Sequence, residues 1–359
     1  MIAVKAGEDL QTPHSGYHWR GQSGRFFEGW YLRLTLPETA QTFAFMYSID
    51  DPAGGSDRSG GAAQILGPDE AYYCRTFPDV NQFWAWPHQL GLGHWRSANI
   101  SGPARYLSPA AFTRHIKEGY QVSPNHHQGK LLDPAGKTKA EWCYQISPIA
   151  GWGAPKSQST AGWLSYLPVF EPGWQVLMAH GLASGWIDWQ GKRYHFETVP
   201  AYAEKNWGGA FPIKWFWIQC NAFANVPGLS VTAVGGVRDV ITWQEDVGLI
   251  GIHYQGQFYE FLSTKTAFTW AVDPWGYWQM TARDYRYRVT LTGSATDAGA
   301  WVRVPTQTGL QWLCRDTTHG ELQLQLWDIS SDKMILEATS QLAGLEVGGG
   351  PWGDRWTKS

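Results

Sequence analysis

Apolar and polar residues alternate along most of this chain in short runs closed by glycine, proline, asparagine and aspartate. A period of two is the mark of strands with one buried face. Runs of this kind are "GWYLRLTL" (29–36), "TFAFMYSI" (42–49), "KWFWIQCNAF" (214–223), "LSVTAVGGV" (229–237), "GQFYEFL" (256–262), "RYRVTLTG" (286–293), "GELQLQLWDI" (320–329) and "MILEATS" (334–340). No long helical period accompanies them. The pattern predicts an all-β chain whose strands hide their edges by curling, as barrels and sandwiches do.

The pattern also repeats. "RFFEGWYLRLTLPETAQTFAFMYSI" (25–49) reads as an aromatic opening, a strand, a proline-marked turn and a strand, and "PIKWFWIQCNAFANVPGLSVTAVGG" (212–236) follows the same plan. At 359 residues the chain is long enough for more than one domain. One barrel-like domain is expected over 1–198 and a second over 199–359, with the glycine- and serine-rich segments 53–62 and 151–162 as loops of the first. Alternation sorts the strand after residue 212 into two faces. Ile213, Trp215, Trp217, Gln219 and Asn221 share one; Lys214, Phe216, Ile218, Cys220 and Ala222 share the other. The aromatic, amide-bearing face suits a ligand cavity, and the plain apolar face suits packing between layers. In the earlier copy Glu28 shares a face with Trp30, Leu32 and Leu34, which sets a carboxylate on an apolar side.

Composition sharpens this picture. There are 23 Trp, 16 Tyr and 15 Phe against only 16% charged residues. Both an aromatic core and an aromatic-lined pocket are consistent with that count. A net charge of −3 leaves no basic field and excludes nucleic acid as a partner. Cys74, Cys143, Cys220 and Cys314 lack disulfide or zinc spacing and read as thiols. The histidines, among them His14, His18, His180 and the pair His126-His127, show no metal-ligand spacing, so no metal is expected. The start "MIAVKAGEDL" lacks a secretory pattern, and no apolar run approaches the roughly 20 residues of a spanning helix. A cytoplasmic protein is expected, soluble or held at a membrane surface.

The stretch "AYAEKNWGGAFPIKWFWIQCN" (201–221) puts Glu204, Lys205 and Asn206 among three tryptophans. A charge against apolar surface is costly unless paired or neutralised. Either this run is a solvated turn closing on Gly208-Gly209, or an acid occupies an apolar pocket for a chemical reason. Other carboxylates compete less well. Asp50 in "SIDDP" and Glu171 before Pro172 fit turns, Asp188 fits the approach to a hairpin, and Glu28 fits a structural pair with Arg25 or Arg33.

Taken together, "TPHSGYHWRG", "RFFEGWYLRL", "FAFMYSID", "FEPGWQV", "EKNWGGAFPIKWFWIQCN", "DPWGYW" and "VGGGPW" resemble the tocopherol cyclase family of photosynthetic organisms, over about residues 12–352. The lack of a plastid transit extension at the start makes a cyanobacterial-type member the expectation. "EGWYL" is also similar to the opening of a wider lipocalin-like two-barrel superfamily that includes carotenoid hydratases. Those enzymes carry a Tyr-x-Asp-x-Asn-aromatic-Gly motif with an acid at its Asp. Tyr202, Glu204, Asn206, Trp207 and Gly208 match it here, with Glu in place of Asp.

The resemblance implies two lipocalin-like antiparallel β-barrel domains in tandem. It also implies closure of a phytyl benzoquinol to a chromanol, by protonation of the alkene and attack of the phenol on the tertiary cation. That chemistry asks for no cofactor. It asks for an acid still protonated near neutral pH, aromatic faces around the cation, and a group to orient the phenol. Glu204 is the candidate acid, Tyr202 its hydrogen-bond partner or proton relay, and Asn206 the holder of the quinol oxygen. Trp207, Trp215, Trp217, Asn221, Glu28 and Trp30 are the candidate substrate-binding residues. Lys205 is assigned no role. The glycine run of "VGGGPWG" reads as a tight turn rather than a phosphate loop. Two other readings stay open: a hydratase, in which water captures the cation, and a non-catalytic prenylquinone carrier. The implied partner is a membrane-resident prenylquinol, so peripheral contact with lipid on the cytoplasmic side of an internal membrane such as the thylakoid is expected; the oligomeric state is open.

Overall fold

The computed structural model describes residues 11–97, 100, 102–166, 172–240 and 243–359. Eleven strands form the first sheet: β1 (Phe27–Leu36), β2 (Gln41–Asp50), β3 (Gly60–Leu66), β4 (Tyr72–Phe77), β5 (Phe83–Ala85), β6 (Leu92–Ser97), β7 (Ile116–Ser123), β8 (His126–Leu132), β9 (Thr138–Ala150), β10 (Gly173–Trp189) and β11 (Lys192–Gly208). Eleven more form the second: β12 (Lys214–Cys220), β13 (Ser230–Val240), β14 (Trp243–Tyr254), β15 (Gln257–Leu262), β16 (Ala267–Val272), β17 (Tyr277–Arg283), β18 (Tyr287–Ser294), β19 (Ala300–Thr306), β20 (Gly309–Asp328), β21 (Lys333–Gly349) and β22 (Trp356–Lys358). Pro109–His115, capped by Ser108, is the α-helix among the described residues. The fold is all-β and antiparallel, as the alternation predicts.

Each sheet curls around its own apolar core without joining its edge strands by a backbone ladder. In the first sheet, strand order runs β4-β3-β2-β1-β11-β10-β9-β8-β7-β6-β5. Its β4 edge meets strands further round the curl through side chains: Arg75 of β4 donates to Glu118 of β7 at 2.6 Å, and the Tyr73 hydroxyl donates to the Leu132 carbonyl of β8 at 2.5 Å. Such contacts blunt an edge without hydrogen-bonding it. Trp30, Leu32, Leu34, Phe43, Phe45 and Trp142 fill this half-barrel. Phe216, Ile218, Cys220, Trp270, Trp278 and Leu324 fill the second. The faces read from β12 therefore separate as expected, with Phe216, Ile218 and Cys220 inside the sheet and Trp215 and Trp217 outside it.

The internal repeat is present in the topology. The second sheet runs β15-β14-β13-β12-β21-β20 where the first runs β4-β3-β2-β1-β11-β10. β12 thus takes the place of β1, and β21 takes the place of β11. Residue 199 falls inside β11, and the chain passes from one sheet to the other between Gly208 and Lys214. Gly208, Gly209 and Pro212 break the alternation at that crossing, so the sequence does carry a mark of it.

The outer faces of β1 and β12 press the two sheets together. Arg33, only 2% exposed, leaves β1 and enters the second sheet. It donates to the Gln219 side chain at 2.7 Å, to the Thr318 carbonyl at 3.0 Å and to the Leu342 carbonyl at 2.7 Å. Asn221 donates back to the Ala201 carbonyl at 2.9 Å, and Trp152 from the loop after β9 reaches Glu260 at 2.7 Å. Arg33→Leu takes the guanidinium from four acceptors at once, the Gln219 carbonyl among them. Denaturant unfolding should show a loss of about 3–5 kcal/mol, whereas substitution of the exposed Arg20 should be neutral.

Candidate active site

Between the sheets lies a cavity of about 270 Å³, walled by β1, β2, β11, β12, β13, β14, β19 and β21. Because side chains alternate along β11, Tyr202, Glu204 and Asn206 share the face turned toward the second sheet, while Lys205 and Trp207 turn away. Glu204 and Asn206 line the cavity. Trp215 and Trp217 wall it from β12. Tyr202 lies just behind, buried, and its hydroxyl donates to Glu204 Oε2 at 2.5 Å. Trp217 Nε1 donates to the same oxygen at 3.1 Å.

Burial drives the Glu204 carboxyl up to about 7 from its usual 4.5, the hydrogen bond from Tyr202 opposes the rise, and the negative charge of Glu346 adds to it. Removing a carboxylate from water penalises its charged form, and three aromatic neighbours cannot replace the lost solvation. Glu204 is thus a carboxyl that carries its proton near neutral pH inside an aromatic pocket. The solvated turn that would have been the alternative is absent: β11 runs extended to Gly208.

Lys205 does not interfere. It sits on the opposite face, ion-paired with Glu28 and donating to the Gly16 carbonyl at 2.7 Å. Glu28 also accepts from the His18 backbone at 2.9 Å. Burial favours its neutral form, but Lys205 and His18 outweigh that and hold it below the usual range. Its partners are Lys205 and His18 rather than Arg25 or Arg33; Arg25 instead pairs with Asp50 at the end of β2. Asp188 bonds Arg193 across the β10–β11 hairpin. Glu171 lies outside the described residues.

Three of the expected binding residues lie away from the cavity. Trp207 shares the Lys205 face and stacks on His18, with ring centroids 3.9 Å apart. Glu28 is consumed by its ion pair. Asn221, beyond the end of β12, spends its amide on Ala201. Trp30 contributes to the wall while its ring packs in the first core.

The cavity also holds groups that sequence reasoning passed over. Glu346 on β21 lines it, accepting a hydrogen bond from the Trp215 indole. Directly across the β20–β21 ladder stands Asp316, 1% exposed, with both carboxyl oxygens unpartnered. Tyr31 on β1 lines the cavity with an unpartnered hydroxyl, opposite Glu204 in the β1–β11 register. The signal for Glu346 was present in "GLEVGGGPW". Gly344 and Gly348 flank it on one strand face, and a Cβ at either would collide with an indole, Trp217 for the first (2.7 Å) and Trp215 for the second (2.0 Å). Glycines at those spacings clear room for two tryptophans around a carboxyl. The run 347–349 is therefore the end of a strand and not a turn.

The geometry is that of an acid held neutral among aromatic walls, and comparison with known proteins identifies the family. A family model described as tocopherol cyclase-like matches residues 24–349. The chain is 43% identical over 378 residues to the probable chloroplastic tocopherol cyclase of Oryza sativa subsp. japonica, covering 97% of this chain and 80% of that protein. It is 44% identical over 377 residues to the chloroplastic tocopherol cyclase of Zea mays, with the same coverage. The solved structure of CghA superposes with a TM-score of 0.53 at 10% identity, covering 96% of this chain and 98% of that one, and shares the two-sheet fold alone. The matched span holds the cavity walls from β1 to β21, and the chain belongs to the tocopherol cyclase-like family.

Proposed function

We propose that this enzyme closes a prenylated benzoquinol, a phytyl quinol, into a chromanol. Glu204 gives its proton to the alkene carbon nearer the ring, the cation forms on the tertiary carbon, and the phenol oxygen attacks it. The observation that carries this reading is a buried carboxyl raised to about 7 among Trp217, Trp174 and Tyr202. At pH 7 an ordinary carboxyl would be protonated only about 0.3% of the time, whereas this one is about half protonated. The indoles of Trp215 and Trp217 and the ring of Tyr31 supply faces for the cation, each worth about 0.5–2 kcal/mol when desolvated. The aromatic and aliphatic part of the wall favours capture by the internal phenol over capture by water. Asn206, on the Glu204 face, is placed to hold a quinol oxygen. Product and substrate have the same atoms, so the reaction is an isomerisation with no change of oxidation state, and we assign it no cofactor.

The substrate's tail resides in lipid, which supports attachment to a membrane surface. Among the described residues no helix is long and apolar enough to cross a bilayer. The short 3₁₀ helix Gly162–Tyr166 instead presents Trp163 (72% exposed) and Tyr166 (64% exposed) to solvent, while its neighbours Ala161 and Ser165 line the cavity. Exposed indole and phenol rings are suited to the headgroup region.

Turnover of reduced phytyl benzoquinol in D2O should give a chromanol with one deuterium on the carbon beside the new C–O centre, read by mass spectrometry and NMR. Glu204→Gln should lower kcat about 10²–10⁴-fold while still binding the oxidised quinone. A hydrated side chain would show capture by water, and tightly bound, unchanged quinol would show a carrier.

The wild-type rate should fall above pH 7 as Glu204 ionises. Stability follows the same group. Its folded value lies above its unfolded 4.5, so its contribution is complete below pH 4.5 and is lost as pH rises through about 7. The Tm of Glu204→Gln should therefore gain on wild type across that window and run parallel above it. The full gain is on the order of 3 kcal/mol.

Trp163→Ser with Tyr166→Ser should weaken sedimentation with galactolipid vesicles and leave turnover of a short-tailed, soluble quinol unchanged.

A further inference from the structure

Cyclisation gives one proton to carbon and takes one from oxygen, so a complete site needs a base as well as an acid. The repeat supplies a second carboxyl in the corresponding place. In the first sheet Tyr31 of β1 stands opposite Glu204 of β11, and in the second Trp217 of β12 stands opposite Glu346 of β21. Since β12 replaces β1 and β21 replaces β11, Glu346 occupies in its sheet the position of Glu204 in the other. Both line the one cavity. Arg33 and Gln219, two residues further along β1 and β12, bond one another across the interface, so the two rows face each other.

The rows differ at one telling point. Across β10, Glu204 has Val176 as its neighbour, whereas across β20 Glu346 has Asp316. Two carboxyls directly opposite on an antiparallel ladder, both buried, cannot both be ionised at modest cost, and such a pair retains one proton between them. The unpartnered oxygens of Asp316 and the unpartnered Tyr31 hydroxyl on the cavity wall are the groups through which that proton can move. Tyr31 lies in edge contact with Trp217, with ring centroids 5.3 Å apart, and Trp217 touches Glu204.

Resting on the cyclase reading, we propose that Glu346, held with Asp316 as a one-proton carboxyl pair, is the base that takes the phenol proton. Tyr31 then returns a proton to Glu204. The Glu204 O–H breaks as the alkene C–H forms, the phenolic O–H breaks as the O–C bond forms, and the released proton settles on Glu346. Tyr31 next passes its own proton to the Glu204 carboxylate and is refilled from the pair, so the cycle closes with no net proton exchanged. Glu346 is a catalytic residue in this scheme, and Asp316 is a positioning residue that sets its charge.

Electrostatics agree with the pairing. Burial raises both acids; Glu346 and then Glu70 push Asp316 up further, against Arg33. Hydrogen bonds from Trp215 and Cys314 hold Glu346 partly down. The charged and titratable groups facing the pair are Arg33 and Tyr31 from β1, Glu204 from β11, Cys314 from β20, Glu70 with His319, and Arg303 on the cavity wall.

The test is the pH profile of kcat/KM for the quinol. Wild type should give a bell, whose rising limb reports ionisation of the pair and whose falling limb reports Glu204. Glu346→Gln keeps an oxygen for the Trp215 indole; it should lose the rising limb and lower kcat about 10²-fold or more, with quinone binding, read by tryptophan quenching, intact. Glu346→Asp should recover part of the rate. Asp316→Asn takes away the acid that keeps the pair's proton while Glu346 is ionised, so it should lower kcat and move the rising limb to higher pH. A wild-type profile without a rising limb overturns the assignment, as does a Glu346→Gln variant that keeps rate and limb, or an Asp316→Asn limb that stays in place. In each of those cases wild type still cyclises the quinol, so the function stands; a wild type that never cyclises it removes the function itself.

Discussion

Everything distinctive about this molecule depends on two curled sheets pressing the outer faces of β1 and β12 together. The clamp is Arg33, a buried guanidinium whose hydrogen bonds reach three strands of the opposite sheet. A guanidinium costs much to desolvate, and it is tolerated here because both terminal nitrogens meet oxygen acceptors. Were the sheets to part, Glu204 would meet water, its carboxyl would return toward 4.5, and the indole of Trp217 would leave it. Acid strength at this site is thus a property of the interface between the sheets rather than of either sheet.

Local sequence was a good guide wherever one strand decides the matter. The period of two placed Trp215 and Trp217 on the cavity side of β12 and Phe216, Ile218 and Cys220 in the core, and the structure agrees. The same rule isolates Lys205 from Glu204, though the two are adjacent, and it also removes Trp207 from the cavity. The repeated strand–turn–strand plan became a repeated strand order.

Sequence was a poor guide where distant strands meet. Nothing in "FFEGWY" announces Lys205 as the partner of Glu28, because that contact spans the β1–β11 ladder. Nothing near Asp316 announces Glu346, since their opposition depends on the register of two long, bulged strands. Asn221 lay on the favoured face, but it stands past the end of its strand, where a backbone carbonyl of β11 claims it. Alternation assigns a face; it does not say what stands opposite.

A cavity built from two matching halves carries a hazard of its own: a flat, nearly symmetric ring can enter either way round. The flanks of the two carboxyls answer this. Glu204 lies between Tyr202 and Asn206, polar and bulky, whereas Glu346 lies between Gly344 and Gly348, whose bareness admits the indoles of Trp217 and Trp215. The carboxyl of Glu204 thus has two polar side chains beside it on its own strand, and that of Glu346 has none. The departures from the repeat, rather than the repeat, make the two ends of the chamber unlike.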